Sequence, residues 1–256
     1  MFAEERHRVI LERLKQDGKT SVEALAADFG VSAPTIRADL TYLEGKRLLL
    51  RTHGGAIAIE TTLWEPPYSE RERANQAEKM RIATVAAKLV RDNETVLIDA
   101  GTTNFEIASR LKDRTGLTVV TNSLEAAWTL MDAPNGNIQV VLMGGNLHMQ
   151  RRATLGPLAA EFLNRLYFDR AFIGVNGVHP EAGYTAVDFD AANLKRAMVE
   201  HAREVLIVAD QSKLGKSTFA SIGALSIAHI LITDTPVVEP LATALAQANV
   251  ETIVAP

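Results

Sequence analysis

The chain has 256 residues, room for one large domain or for a medium one with a small appendage at roughly 100–200 residues per domain. Hydrophobic residues make up 47% and charged residues 23%, which excludes wholesale disorder, and the absence of cysteine excludes a disulfide framework, a thiolate metal site and a cysteine nucleophile. The net charge of −4 disfavours a nucleic-acid partner at first sight, but residues 1–57 hold nine Lys/Arg against eight Asp/Glu while the rest hold 18 against 23, and local clusters matter more to a polyanion than the total.

Three short amphipathic helices come first. One spans about Glu4 to Gln16, with Ile10 and Leu14 on one face, and ends at Asp17-Gly18. In the second, Thr20-Ser21-Val22-Glu23 has the spacing of a capping box with Thr20 as the cap. Val22, Leu25, Ala26 and Phe29 then form one stripe, and Gly30 ends it. The third starts at the N-cap Ser32, with Pro34 in its first turn and Ile36, Leu40 and Leu43 as its stripe. The tight turn between the second and third predicts a helix-turn-helix. Leu48 to Ile59, two apolar segments flanking Arg51-Thr52-His53-Gly54-Gly55, predicts a hairpin and hence a wing.

Turning Ile36, Leu40 and Leu43 inward places Pro34, Ala38, Thr41 and Tyr42 outward, with Thr35 and Arg37 on the flanks. A helix presented in this way fits the major groove, roughly 12 Å wide. Lys46, Arg47, Arg51 and His53 follow and offer phosphate contacts. The predicted DNA-contacting set is therefore these residues together with Ser32. The competing reading is a small helical protein-interaction domain with solvated charges.

Residues 60–75, with Pro66-Pro67 and many charges, read as a linker, so the expected organisation is a domain at 1–59, a linker at 60–75 and a second domain at 76–256. A helix follows at about 76–90. From there short β-branched runs at 96–99, 118–121, 139–143, 171–175, 204–210, 229–234 and 251–255 alternate with helical patterns at 104–112, 123–132, 155–166, 188–203 and 239–248. Such runs predict an α/β domain with a mostly parallel sheet covered on both faces.

Several loops of this domain suit an anionic ligand. Asp99, Gly101, Thr102 and Thr103 lie between a strand and a helix, and Thr121, Asn122 and Ser123 repeat the arrangement after the next strand. Gly144-Gly145 and Asn176-Gly177 close two further strands, while Arg152, Lys195 and Lys213 supply positive charge. In open α/β sheets ligands bind beyond the carboxyl ends of the strands, where these loops fall. Other chemistry lacks its pattern. Gly215-Lys216-Ser217 would need glycine at position 210 to form a P-loop, and Asp210 stands there. The six histidines are dispersed, so neither a metal nor a cofactor is expected. No apolar run approaches the roughly 18–20 residues of a membrane span, and the charged N-terminus lacks a signal-peptide core. A cytoplasmic protein with no membrane partner is expected.

The segment from Ser21 to Ile57 resembles the DNA-binding domain of DeoR-type bacterial transcriptional regulators, through V-S-x-x-T-I-R-x-D-L (Val31 to Leu40) and R-T-H-G-G-A (Arg51 to Ala56). D-x-G-T-T, T-N-S, G-G, F-I-G-V-N-G-V and D-x-S-K look like that family's C-terminal sensor domain. The resemblance implies a winged helix-turn-helix followed by a larger α/β domain similar to ribose-5-phosphate isomerase-like folds. It further implies a repressor of a carbohydrate-catabolism operon, with operator DNA and a phosphorylated sugar or polyol as partners, acting as a homo-oligomer (dimer or tetramer). The chain departs from the family pattern where Ala38 follows Arg37 in place of a second arginine. It departs again at Asp190, where many members have glutamate, and at Gln211. The rival class is a sugar-phosphate isomerase using Asp99, Asp188 or Asp190 as base, with Lys195 or Lys213 stabilising an enediolate.

Overall fold

The computed structural model describes residues 2–46, 48–58, 65–133 and 137–256. Arg47 and residues 59–64, on which the end of the predicted hairpin and the start of the predicted linker fall, lie outside the described residues. The chain divides into two compact units, Met1–Thr61 and Thr62–Pro256. Among the described residues no helix is long and apolar enough to cross a membrane.

The first unit contains α1 (Ala3–Asp17), β1 (Lys19–Ser21), α2 (Val22–Phe29), α3 (Ala33–Gly45), β2 (Leu49–Thr52) and β3 (Gly55–Ala58). Gly18 and Gly30 end α1 and α2 in the left-handed conformation. The expected stripes Ile10/Leu14, Val22/Leu25 and Ile36/Leu40/Leu43 converge on one core with Leu49 and Ala56. The cap of α2 differs from expectation: Ser21, not Thr20, accepts the Ala24 amide at 3.1 Å. Thr20 is instead in β1, which pairs antiparallel with β3 to make a three-stranded wing sheet of order β1-β3-β2. Gly55 makes that pairing feasible, because a Cβ there would lie 2.0 Å from the Thr20 carbonyl oxygen.

The second unit opens with α4 (Tyr68–Arg73) and α5 (Gln76–Leu89). Then follow β4 (Thr95–Ile98), α6 (Thr102–Arg110), β5 (Thr118–Thr121), α7 (Leu124–Met131), β6 (Gln139–Leu142), β7 (Asn146–His148), β8 (Ala153–Leu155), α8 (Pro157–Leu163) and β9 (Phe168–Gly174). The chain ends through β10 (Gly177–His179), β11 (Gly183–Ala186), α9 (Phe189–Glu200), β12 (Ala202–Val208), β13 (Ala220–Gly223), β14 (Ile230–Thr233), α10 (Leu241–Gln247) and β15 (Glu251–Val254).

The seven strands expected from β-branched runs form one parallel sheet of order β15-β14-β12-β9-β4-β5-β6. Side chains alternate across it with a period of two. Leu97, Ala171, Ile173, Val205, Ile207 and Leu231 enter one core. Val96, Ile98, Phe172, Leu206, Val208 and Ile232 enter the other, beneath α5 and α6. Burial on both faces is why these strands read as unbroken apolar runs. The small antiparallel sheet β10-β11-β13 and the hairpin β7-β8 have no such run and were not expected.

The sheet is entered in its middle. The chain runs outward from β4 through β5 to β6, then returns to the other side of β4 with β9 and continues to β15. The order therefore reverses between β4 and β9, and such a switch point is where open α/β sheets leave a crevice for ligands. The linker expectation needs correction at its C-terminal part. Tyr68 is buried, its amide donates to the Gln150 carbonyl at 3.2 Å, and α4 packs within the second unit. The buried Lys79 ammonium of α5 donates to the carbonyls of Arg71 and Ala74, holding the end of α4. Burial lowers the pKa of Lys79 to about 8. The Pro-Pro pair and the charges signal an exposed strap, but Glu65 pairs with the distant Arg151 and Asn176, and Arg71 folds back on Glu65 and Pro66.

Candidate nucleic-acid interface and effector cleft

Helix α3 is anchored from beneath. Asp39 is buried and accepts from Arg6 on both oxygens, from Nε on Oδ2 at 2.8 Å and from Nη2 on Oδ1 at 3.2 Å, while His7 Nε2 lies 2.8 Å from Oδ1 as well. Burial pushes the Asp39 carboxyl up, but the hydrogen bonds from Arg6 and His7 outweigh this and hold it below the ordinary range. With the apolar stripe and Asp39 facing inward, Pro34, Arg37, Ala38, Thr41 and Tyr42 are exposed and Thr35 is half-buried. Ser32 caps the helix through the Thr35 amide at 3.4 Å. Tyr42 stacks on His7 with ring centroids 4.9 Å apart, and the Lys46 ammonium lies 5.7 Å from the Tyr42 ring. The wing residues Arg51 and His53 are exposed. Arg51 Nη1 donates to Thr41 Oγ1 at 2.9 Å, and its amide to Glu44 Oε1 at 3.1 Å, which ties wing to helix. The exposed α3 face and the wing residues thus lie together on one unit.

In the second unit a cleft opens at the switch point, lined by Glu65, Arg71, Asp99, Ala100, Asn122, Arg151, Asn176 and Lys195 among others. Asp99 leaves the end of β4, where only 2% of it is exposed. Its Oδ2 accepts the Gly174 amide of β9 at 3.1 Å and pairs with the ammonium of Lys195, itself buried on α9. Asn122 bridges loops, accepting from the Ala100 amide at 2.7 Å and donating to the Thr154 carbonyl at 3.2 Å. Glu65 enters from the segment before α4. Its Oε1 is 3.2 Å from Arg71 Nη1 and accepts from Asn176 Nδ2 at 2.9 Å, and its Oε2 is 2.9 Å from Arg151 Nε. Burial pushes Glu65 up, but the charges of Arg71 and Arg151 hold it below the usual carboxylate range.

Of the expected ligand residues, the cleft gathers Asp99, Asn122, Asn176 and Lys195. Others shape it from behind. Thr121 Oγ1 donates to the Ile98 carbonyl at 2.6 Å, joining β5 to β4, and Ser123 caps α7 through the Ala126 amide at 3.2 Å. Gly101 is the N-cap of α6, whose first residues are Thr102, buried, and Thr103, half-buried. A Cβ at Gly145 would lie 2.7 Å from the Leu155 carbonyl oxygen and one at Gly177 2.4 Å from that of Lys216, so both serve close backbone approach. Gly144 is exposed, and Lys213 sits in the turn after β12, outside the cleft lining. Arg152 turns away: it pairs with Glu125 at 2.7 Å and covers the Tyr68 ring at 4.8 Å. Its neighbour Arg151 supplies the charge instead, reaching Glu65 and, at 3.3 Å, Asp188. Sequence reasoning missed Glu65, Arg71 and Arg151; the density of charge in residues 65–73 was the available signal for the first two.

An exposed recognition helix beside a wing, and a separate parallel α/β unit with a cation-bearing cleft at its switch point, define a DNA-binding regulator with a sensor domain. The DeoR-like helix-turn-helix domain matches residues 6–62, and the DeoR C terminal sensor domain matches residues 74–235. The chain is 37% identical over 234 residues to the HTH-type transcriptional regulator GlpR of Haloferax volcanii, covering 91% of each. It is 34% identical over 232 residues to the glycerol-3-phosphate regulon repressor of Escherichia coli K12, again 91% of each. The HTH-type transcriptional repressor GlcR of Bacillus subtilis is 36% identical over 234 residues, 91% of this chain and 89% of that one. Among solved structures, ribose 5-phosphate isomerase A from Methanocaldococcus jannaschii is similar at a TM-score of 0.40 and 20% identity over 55% of either chain. The chain belongs to the DeoR family of transcriptional regulators.

Proposed function

We infer that the chain is a repressor of a carbohydrate-catabolism operon, released from its operator when a phosphorylated sugar or polyol binds the switch-point cleft. The observation that carries this reading is the convergence of Arg71, Arg151, Lys195 and Asn176 on one crevice at the strand ends. Guanidinium groups recognise phosphate bidentately, and Asn122 and Asp99 offer polar partners for hydroxyls. The names of the Escherichia coli and Bacillus subtilis relatives support the repressing sense, and the glycerol-3-phosphate regulon in the former's name supports the phosphorylated-polyol class. For release, the effector must bind the DNA-incompetent state more tightly, and a coupling of about 1–3 kcal/mol weakens operator binding roughly 5–150-fold.

Sensing is favoured over isomerase chemistry by the state of the carboxylates. Asp99 is paired with Lys195 and with the Gly174 amide. Asp188 caps α9 through the Ala191 amide at 2.8 Å, and Asp190 is exposed. Asp99 and Asp188 are thus engaged by groups of the chain itself and Asp190 faces solvent, an arrangement that favours holding a ligand over abstracting its proton. Incubation with pentose and hexose phosphates is expected to yield no isomer; steady product formation would favour the enzyme. We also assign a homo-oligomer, with paired recognition helices on symmetric half-sites. Trp128 and Met131, each 69% exposed on α7, offer apolar contact area.

Two substitutions test the head. Arg37→Ala removes the exposed long side chain on the flank of the α3 face and is expected to weaken operator binding by about 1–3 kcal/mol while relaxing sequence preference; an unchanged footprint removes Arg37 from base reading. Arg51→Ala is expected to weaken all duplexes alike and flatten the log–log salt dependence by about 0.9, the contribution of one neutralised phosphate. An unaltered slope removes Arg51 from the phosphate contacts.

A further inference from the structure

The cleft's most cationic corner already holds an anion. The Glu65 carboxylate sits between Arg71 and Arg151 with Asn176 on one oxygen, and only 13% of its side chain is exposed. This is the contact set a phosphate oxygen would take, supplied here by the chain itself. Glu65 lies just past Thr62, where the second compact unit begins, so it belongs to the stretch that leads to the DNA-binding unit. The segment has further ties: Arg71 Nε donates to the Pro66 carbonyl at 3.1 Å, and the Tyr68 amide to Gln150.

Resting on the reading of this cleft as the effector site, we propose that Glu65 is an internal stand-in for the effector's phosphate, and that the effector acts by expelling it from Arg71 and Arg151. A phosphoryl dianion carries more charge and more acceptor oxygens than a carboxylate and displaces it from paired guanidiniums. Expulsion detaches the chain immediately before α4. The device makes the cleft its own threshold: a competitor present about nine-tenths of the time lowers the effector's apparent affinity about tenfold.

The test uses the full-length protein, with inorganic phosphate as the probe, titrated by calorimetry and by thermal shift. Glu65→Ala is expected to bind phosphate about tenfold or more tightly than the wild type, and Glu65→Gln to fall between. Adding Arg151→Ala to Glu65→Ala is expected to abolish the gain. Phosphate is also expected to speed proteolytic cleavage just before α4 in the wild type, whereas in Glu65→Ala that cleavage is fast without it. Equal or weaker phosphate binding by Glu65→Ala overturns the proposal while leaving the cleft an anion site, with Glu65 then a partner of the ligand. No phosphate binding by the wild type, Glu65→Ala or Glu65→Gln overturns both the proposal and the reading beneath it. Because Arg71 and Arg151 repel each other once Glu65 is removed, the variant is expected to melt earlier and to be restored by phosphate; a variant that melts earlier and is not restored also counts against the proposal.

Discussion

Asp39→Ala is expected to unfold the DNA-binding unit and leave the second unit folded. Asp39 is the polar anchor of the recognition helix, bound to Arg6 and His7 of α1 beneath it. Removing one partner of a buried ion pair costs about 3–5 kcal/mol. A unit of this size carries only about 3–9 kcal/mol at 0.05–0.15 kcal/mol per residue, so the loss is comparable with the whole. Amide hydrogen exchange on the full chain checks it: α1 to α3 should lose protection, and β4, β9 and β12 should keep it. Equal protection of α3 in both proteins would contradict the anchoring role. Acid should reproduce the effect. The native Asp39 carboxyl lies below its ordinary value, so its contribution is complete above the unfolded value of about 3.9 and disappears as the pH falls through the lower native one.

Lys195→Met is expected to have an effect of similar size in the second unit, with a functional consequence as well. The side chain keeps its length, but Asp99 is left as a buried carboxylate beneath the switch point, accepting from the Gly174 amide with no ammonium beside it. The cost of about 3–5 kcal/mol corresponds to a fall in Tm of roughly 6–20 °C for a unit of this size. Asp99→Asn combined with Lys195→Met removes both charges and should recover much of the loss, the non-additivity expected of a direct pair. The single variant should also lose its response to effector. A Tm within about 2 °C of the wild type would show that the pair contributes little to holding β4 and β9 together.

Much of this architecture was legible in the sequence because its signals are local. The stripes of α1 to α3, their glycine stops and the seven apolar runs each declare themselves within a few residues. Strand β1 was hidden because three residues between two helices carry no pattern; its existence depends on Gly55 admitting the Thr20 carbonyl. The cleft was half legible. Asp99, Asn122 and Asn176 stand at strand ends, which the alternation of strands and helices already located. Glu65, Arg71 and Arg151 belong to a strap and a hairpin loop whose meeting is fixed only by tertiary packing. The exchange of Arg152 for Arg151 has the same origin: two adjacent arginines are equivalent in composition, and the ring of Tyr68 with Glu125 decides which one turns away.

Effector bound in the second unit is expected to weaken DNA binding by the first. Fluorescence anisotropy of the whole chain on a labelled duplex from its own promoter, repeated across a panel of phosphorylated sugars and polyols and their unphosphorylated counterparts, tests this. Tight binding at low salt is expected, weakened roughly 5–150-fold by a phosphorylated member of the panel and unmoved by its unphosphorylated form. Binding that no phosphorylated compound alters, or a folded protein that ignores the duplex, would contradict it.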